Sequence, residues 1–174
     1  MIYPRNFEQK IEFDAIRSMV ADFCISPMGR DYVDKIRFST DPAILVQLLD
    51  QTMELSGIIN SGKNFPSQDY FDLRNELRRL QVDGTFIDPN KLFDLNSSLK
   101  AMKTVQSFIS NYNDAEIPRL KELARGIVIE SWIIELMNGI MDDRGVIRDH
   151  ASAGLAEIRN TKIDGLVGDQ WQIR

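Results

Sequence analysis

The fold class follows from one stretch of sequence, DPAILVQLLDQTMELSGIINSG, which occupies residues 41–62. It begins with Asp41 and Pro42, a capping side chain and a proline that together favour the first turn of an α-helix. Apolar residues then recur at helical spacing, and Gly62 is of the residue type that commonly ends helices. The stretch therefore predicts a long helix to about Ser61. We expect its buried face to comprise Ile44, Leu45, Leu48, Leu49, Met53, Leu55 and Ile58.

The same kinds of start signal recur along the chain. Ser26-Pro27 and Asp88-Pro89 repeat the cap and proline, and Asn6 with Gln9 forms a predicted capping pair. With Gly and Pro as breaks, the apolar spacing predicts helices over about 6–23, 26–37, 41–61, 73–80, 88–111, from 118, 131–141 and from 152. Val146 and Ile147 add at most two extended residues. We expect an all-α bundle or array of seven to eight helices.

Composition limits the classes of protein to consider. Of 174 residues, 43% are hydrophobic and 27% charged, which is typical of a globular domain with a core. A net charge of −5 argues against strong non-specific nucleic-acid binding by this chain alone. The single Cys24 excludes an internal disulfide, and no apolar run is long enough to cross a bilayer. We expect a cytoplasmic protein that is not in a membrane.

A partial nucleotide-binding motif occurs at residues 57–64. Gly57, Gly62 and Lys63 match G-x-x-x-x-G-K, but Asn64 replaces the Ser or Thr that ligates magnesium. A P-loop also lies before a helix, whose N-terminal amides hold the phosphates, whereas this match lies at the predicted end of one. We therefore interpret the motif as a false match. Gly62 is predicted to end the helix, and Lys63 to be a solvated side chain.

Three arginines are the candidate nucleic-acid contact. Arg74, Arg78 and Arg79 share one side of a short predicted helix and could hold a phosphate backbone. Asp72 and Glu76 lie between them, so a salt-bridged, solvated helix face is the alternative.

The remaining candidates favour structural roles. Asp142, Asp143 and Asp149 flank a turn, but the spacing lacks the closing Glu of a calcium loop, so we predict turn formers and no metal. Cys24 is flanked by apolar residues, and the only histidine, His150, lacks an acyl-transfer framework. We predict no catalytic residue, although the sequence leaves a Cys-His pair open.

The order of short motifs is more specific than any one of them. The motifs are Asn6–Asp14, Cys24–Arg30, Phe71–Arg74, Gly84–Ile87, Leu92–Leu95, Arg144–Ser152 and Leu155–Arg159. The set resembles the N-terminal segment of the second bacterial branch of the MutS family, which lacks the mismatch-reading domain. The resemblance covers about residues 1–159 and implies a helical core, or lever, domain. Residues 160–174 form a divergent tail without the heptads of the family's coiled-coil arm. The tail leaves three interpretations open: the chain is truncated, it is a natural short paralogue, or its last segment pairs with something else.

The resemblance also implies a function. The full-length proteins bind branched or recombining DNA, restrain recombination and in some cases rescue ribosomes. They bind ATP and Mg through a downstream ATPase, are linked to a DNA clamp, and often carry a nuclease domain. Their homodimers form largely through those regions, so we expect this chain to be monomeric or weakly associated, with no cofactor of its own. The expected function is a non-catalytic segment of such a protein, and the alternative is a stand-alone helical protein-interaction module.

Overall fold

All regular structure in the described part of the chain is helical. The structure is a computed structural model that describes residues 6–159 and Thr161, and within them it contains nine helices and no β-strand. The helices are α1 Phe7–Lys10, α2 Phe13–Asp22, α3 Pro27–Val33, α4 Pro42–Asn60, α5 Arg74–Arg79, α6 Pro89–Ser110, α7 Pro118–Arg125, α8 Ser131–Ile140 and α9, which includes residues 153–159. The predicted all-α class is confirmed. None of these helices is both long and apolar enough to cross a membrane.

The described residues fall into two compact units. Unit 1 comprises residues 6–72 and 104–127, and unit 2 comprises residues 73–103 and 128–159. The long helix α6 contributes residues to both. The predicted boundary between a core segment and a tail at residues 159 and 160 stays a prediction, because Asn160 and residues 162–174 lie outside the described residues.

The predicted cap-and-proline starts form as expected. In each, the capping side chain accepts a hydrogen bond from a backbone N–H two or three residues later: Ser26 from Gly29 at 3.1 Å, Asp41 from Ala43 at 2.9 Å, and Asp88 from Asn90 at 2.9 Å. These bonds satisfy N–H groups that have no partner within the helix. Local sequence therefore set where α3, α4 and α6 begin.

The first predicted helix is instead two helices. Asn6 makes no side-chain cap bond, and Glu12 adopts the left-handed conformation with φ +57°, which separates α1 from α2. The break brings Glu8 to Arg17, whose Nη2 lies 2.7 Å from the Glu8 carboxylate. Glu8 and Arg17 are nine positions apart, which corresponds to about 180° around a continuous helix. Without the break, the two side chains would therefore point in opposite directions. The Glu8 carboxylate also accepts the backbone N–H of Phe38.

The core of unit 1 joins α4, the end of α6 and α7. Its buried members are Ile58, Ile109, Ile117, Leu120 and Ala124, with Leu55, Phe65, Val105, Phe108 and Tyr112 packed against them. The rings of Phe65 and Phe108 meet edge to face at 5.6 Å between centroids, a favourable aromatic geometry.

The N-terminus of α7 is capped from another helix. Its own N-cap residue, Ile117, makes no side-chain cap bond. The carboxylate of Glu54 on α4 accepts hydrogen bonds from the backbone N–H groups of Arg119 at 3.1 Å and Leu120 at 2.8 Å. A negative charge at this end of a helix is also favoured by the helix dipole. Arg119 returns to α4 through an Nε contact with Asp50 at 3.5 Å.

The structure corrects the buried face that the sequence predicted for α4, because most of its residues are exposed. Ile58 is buried at 3% exposure, whereas Leu49 is 61% exposed, and Ile44, Leu45, Leu48 and Met53 are exposed as well. The pattern predicted burial because apolar side chains usually pack inward. In unit 1, α7 covers only the side of α4 that carries Ile58.

Unit 2 contains a tight reversal after α8. Met141 and Ile147 form an isolated antiparallel bridge. Of the two residues predicted to be extended, Ile147 takes part in this bridge and Val146 does not. The guanidinium Nε of Arg148 donates to the carbonyl oxygens of Asn138 at 3.0 Å and Met141 at 3.1 Å. It thereby satisfies carbonyls that the end of α8 leaves without partners.

Replacing Glu54 by alanine removes the cap of α7. We expect a loss of about 1–2 kcal/mol in the free energy of unfolding, since two backbone N–H groups lose their acceptor. Glu54→Gln, which keeps one acceptor oxygen, should lose less. Thermal and urea unfolding measure both. Glu122→Ala is the control because this exposed carboxylate makes only a 3.6 Å ion pair with Arg119; equal losses in all three variants would contradict the cap.

Replacing Gly145 by alanine should destabilise unit 2. Gly145 has φ +80°, and an added Cβ would lie 3.0 Å from the Phe93 ring. The left-handed backbone alone costs about 1–2 kcal/mol for a side-chain-bearing residue. Gly84→Ala is the matched control, because Gly84 has the same φ but nothing within 4 Å of the added Cβ. We expect the larger loss of melting temperature at Gly145, and equal losses would show that Phe93 gives way freely.

Candidate functional site

Unit 1 carries an open apolar groove. Its volume is about 940 Å³, and α4, α7 and the segment after α3 form its walls. Its apolar lining residues are Ile36, Phe38, Ile44, Leu45, Leu48, Leu55, Ile59, Leu120 and Leu123. Grooves of this size and lining bind apolar ligands or the apolar face of a helix.

The groove is open because α4 carries more apolar residues than one neighbour can cover. Leu55 and Ile58 belong to the core with α7. Leu45 and Leu48, about three turns earlier on the helix, remain 40% and 42% exposed. Large contiguous apolar surfaces on a folded protein are characteristic of binding sites. The excess of apolar residues on α4 therefore indicates a second contact surface.

The rim of the groove is positively charged. Lys35 and Arg37 are exposed and line it, and none of the described lining residues is acidic. Arg37 donates through Nη1 to the carbonyl oxygens of Asp34 at 2.5 Å and Ile36 at 2.8 Å, which holds the guanidinium beside the end of α3. An apolar surface edged with carboxylates would complement both the floor and the rim.

The three predicted arginines lie on one short exposed helix of unit 2. Arg74, Arg78 and Arg79 all belong to α5 and are exposed. Arg79 donates through Nη2 to the carbonyl of Phe86 at 3.3 Å, and the Thr85 hydroxyl donates to the Arg79 carbonyl at 2.9 Å. These bonds fix the end of α5 against the turn that follows it. The nucleic-acid role of the three arginines stays a prediction.

The partial nucleotide motif lies at the C-terminal end of a helix. Gly57 is within α4, Ser61 is its C-cap, and Gly62 has φ +74°. The ammonium of Lys63 lies 4.2 Å from the centroid of the Tyr112 ring, a cation–π contact. The helix end that faces this loop carries carbonyl groups and the negative end of the dipole, which do not favour phosphate.

The aspartates of the predicted turn have structural contacts. One Asp142 oxygen accepts the backbone N–H groups of Arg144 at 2.9 Å and Val146 at 2.8 Å. The Val146 bond and then the Arg144 bond lower the pKa of Asp142. Asp149 pairs with Arg159. Asp143 is exposed, and no group of three or more potential metal-ligating side chains occurs among the described residues.

The two reactive side chains lie in different units. Cys24 of unit 1 is partly buried and its thiol donates to the Val20 carbonyl at 3.5 Å, whereas His150 of unit 2 is exposed. A partly buried thiol that bonds a helix carbonyl is typical of a structural cysteine.

Two features of unit 1 were absent from the sequence interpretation. The Glu54 carboxylate bonds two backbone N–H groups that lie 65 and 66 residues further along the chain. No local sequence pattern at either end indicates this cap. The groove did leave a signal, because residues 43–46 are four consecutive apolar residues, more than one helix face holds.

The chain is similar to part of a group of bacterial proteins. It is 28% identical over 152 residues to endonuclease MutS2 of Bacillus cytotoxicus, and 26% identical over 151 residues to the proteins of the same name from a Geobacillus species and from Bacillus velezensis. Each match covers 86% of this chain, which spans only 19% of the relative. The chain thus matches an N-terminal part of MutS2. No family model and no solved structure matches the chain.

Because Lys63 lies at a helix C-terminus and over an aromatic ring, we expect it to contribute nothing to nucleotide binding. Isothermal titration with Mg-ATP should give no heat of binding for the wild-type chain or for Lys63→Ala. Lys63→Ala should instead lower the melting temperature slightly, since the cation–π contact is worth about 0.5–1 kcal/mol. ATP binding that Lys63→Ala abolishes would contradict this interpretation.

Proposed function

We propose that this chain is a non-catalytic helical segment of a MutS-like DNA-transaction protein. In this proposal it acts on branched or recombining DNA in the cytoplasm, and ATP enters only through domains outside the matched region. The observation that carries the proposal is the match itself, which extends over 86% of the chain but only 19% of proteins named endonuclease.

The placement of the side chains supports a mechanical rather than a chemical role. Cys24 is a partly buried thiol that donates to a helix carbonyl, and Gly57, Gly62 and Lys63 lie at a helix end that repels phosphate. The Asp142 carboxylate is engaged by two backbone amides. What the chain offers instead is contact surface: the apolar groove of unit 1 and the arginines of α5.

The DNA contact that we propose is α5. Arg74 and Arg78 are one turn apart, and Arg79 is adjacent, so the three arginines lie within six residues of one helix. Arginine binds phosphate oxygens in a bidentate manner. With a net charge of −5 for the whole chain, such a contact adds to binding made elsewhere in a longer protein.

The test of this contact is a salt titration of binding to a branched DNA. In a full-length protein of this kind, Arg74→Ala, Arg78→Ala and Arg79→Ala together should weaken binding and reduce the slope of log K against log salt. If all three contact phosphates, the slope should fall by roughly 2.7, at about 0.9 per contact.

The control replaces Lys10, Arg125 and Arg144 by alanine, which removes the same charge from other exposed elements. It should leave the slope nearly unchanged. Equal slopes for the wild-type protein, the α5 variant and the control variant would contradict a DNA contact at α5. The wider proposal would be contradicted if this chain and the full-length protein bound the DNA equally and without dependence on salt.

The groove favours a second candidate function, a stand-alone helical module that binds protein. Its floor is apolar, which suits a protein surface better than the phosphate backbone of DNA. The two functions are distinguished by the reading frame after Arg174. Continuation into an ATPase supports the first, and a stop codon supports the second.

A further inference from the structure

We propose that residues 7–22 interconvert between two forms: the bent pair α1 and α2 of this structure, and one continuous helix in which α1 is released from a wall of the groove. The inference goes beyond the proposed function, and every contact that it uses lies within unit 1. It makes α1 a latch on the groove and Glu12 the hinge of that latch.

The hinge is a residue in a conformation that its type rarely adopts. Glu12 has φ +57° and ψ 27°, in the left-handed region, which is disfavoured for a residue that carries a side chain. Its N–H donates to the Gln9 carbonyl at 3.1 Å, three residues back instead of four. As the N-cap of α2, its side chain makes no cap bond. In a continuous helix, carbonyl groups of α1 would accept from the first N–H groups of α2.

Nothing in the local sequence requires the bend. Residues 7–22 contain neither proline nor glycine, and Phe7, Ile11, Ala15 and Met19 keep the four-residue spacing across the break. That spacing is the reason that the sequence predicts one helix over about 6–23. The bend is therefore held by contacts between α1 and other parts of unit 1.

The latch consists of two residues of α1. The Glu8 carboxylate accepts from Arg17 Nη2 at 2.7 Å and from the Phe38 N–H at 3.2 Å. The ring of Phe7 meets the ring of Phe38 edge to face, at 6.1 Å between centroids. In a continuous helix Glu8 and Arg17 would point in opposite directions, so their ion pair forms only when the helix is bent. These contacts offset the unfavourable backbone of Glu12, and the opposition of the two effects makes both forms accessible.

The residue that the latch holds belongs to the groove. Phe38 lines the wall that follows α3, together with Ile36 and Arg37. Release of α1 would remove a backbone hydrogen bond and a ring contact from that wall. The two forms therefore present different grooves, and a molecule that binds the groove in only one form would shift the balance toward that form.

Electron paramagnetic resonance measures the bend in the whole chain. Gln9→Cys on α1 and Asp22→Cys at the end of α2 are exposed sites for two spin labels, with Cys24→Ser removing the native thiol. The two sites are roughly 20 Å apart along a continuous helix, at about 1.5 Å per residue, and a bend shortens this distance. We expect a dominant short distance and a minor long one. A single distance shared by this protein and all the variants below would overturn the proposal.

Two variants of the hinge should move the balance in opposite directions. Glu12→Gly favours the bent form, since glycine adopts the left-handed conformation freely and is a poor helix former. Glu12→Ala favours the continuous helix for the opposite reasons. We expect the ratio of the long to the short population to fall at least threefold with glycine and to rise at least threefold with alanine. Shifts in the same direction would overturn the hinge.

A variant of the latch should also favour the continuous helix. Glu8→Gln removes the charge that pairs with Arg17, and we expect the same ratio to rise at least threefold. Asp14→Asn is the matched control, because Asp14 binds Arg17 Nη1 at 2.7 Å within α2, where both forms keep the pair. Equal shifts in the two variants would overturn the latch. Circular dichroism should show a gain of helix in Glu8→Gln, and a loss, which would mean that α1 unravels, would overturn the continuous form.

Amide hydrogen exchange tests the link to the groove. The Phe38 N–H is bonded by Glu8 only while α1 is docked, and the Leu120 N–H, bonded by Glu54, reports on the rest of unit 1. Neither Glu12 variant removes a contact of Phe38. We expect Phe38 to exchange at least threefold faster in Glu12→Ala than in Glu12→Gly, with Leu120 unchanged. Equal exchange of Phe38 in the two variants would overturn the coupling of α1 to the groove.

Discussion

The carboxylate of Glu54 accepts the backbone N–H groups of Arg119 and Leu120, and this bond fixes α7 on α4. Ile117, the N-cap residue of α7, has no side-chain acceptor, and the Glu54 carboxylate supplies one in its place. The carboxylate also places negative charge at the positive end of the helix. Once α7 is held there, Ile117, Leu120 and Ala124 pack around Ile58 and complete the core of unit 1.

The same arrangement leaves unit 1 with a groove. α7 covers one side of α4, and the leucines and isoleucines of the other side stay in contact with solvent beside the cations of residues 35 and 37. Unit 2 offers a surface of a different kind, the three arginines of α5. The chain therefore presents apolar contact on one unit and phosphate-compatible charge on the other.

Prediction from sequence succeeded where the interactions are local. Ser26, Asp41 and Asp88 each bond an N–H two or three residues away, so the signal and its effect lie in one helical turn. It failed at the first helix, where Glu12 breaks the helix and Glu8 pairs with Arg17 in unit 1. The apolar spacing is the same with or without that break, so periodicity does not reveal it.

The amino-acid sequence alone was enough to predict the fold class, the starts of α3, α4 and α6, and the resemblance to MutS-like proteins, because caps, prolines and apolar spacing act within a few residues. It also placed Arg74, Arg78 and Arg79 on one helix. The packing of the helices against one another was needed to show which side of α4 is buried, that Glu54 caps α7, and that a groove remains open. Those outcomes depend on which helices meet. Glu54 and Leu120, for example, are 66 positions apart, where no local pattern connects them.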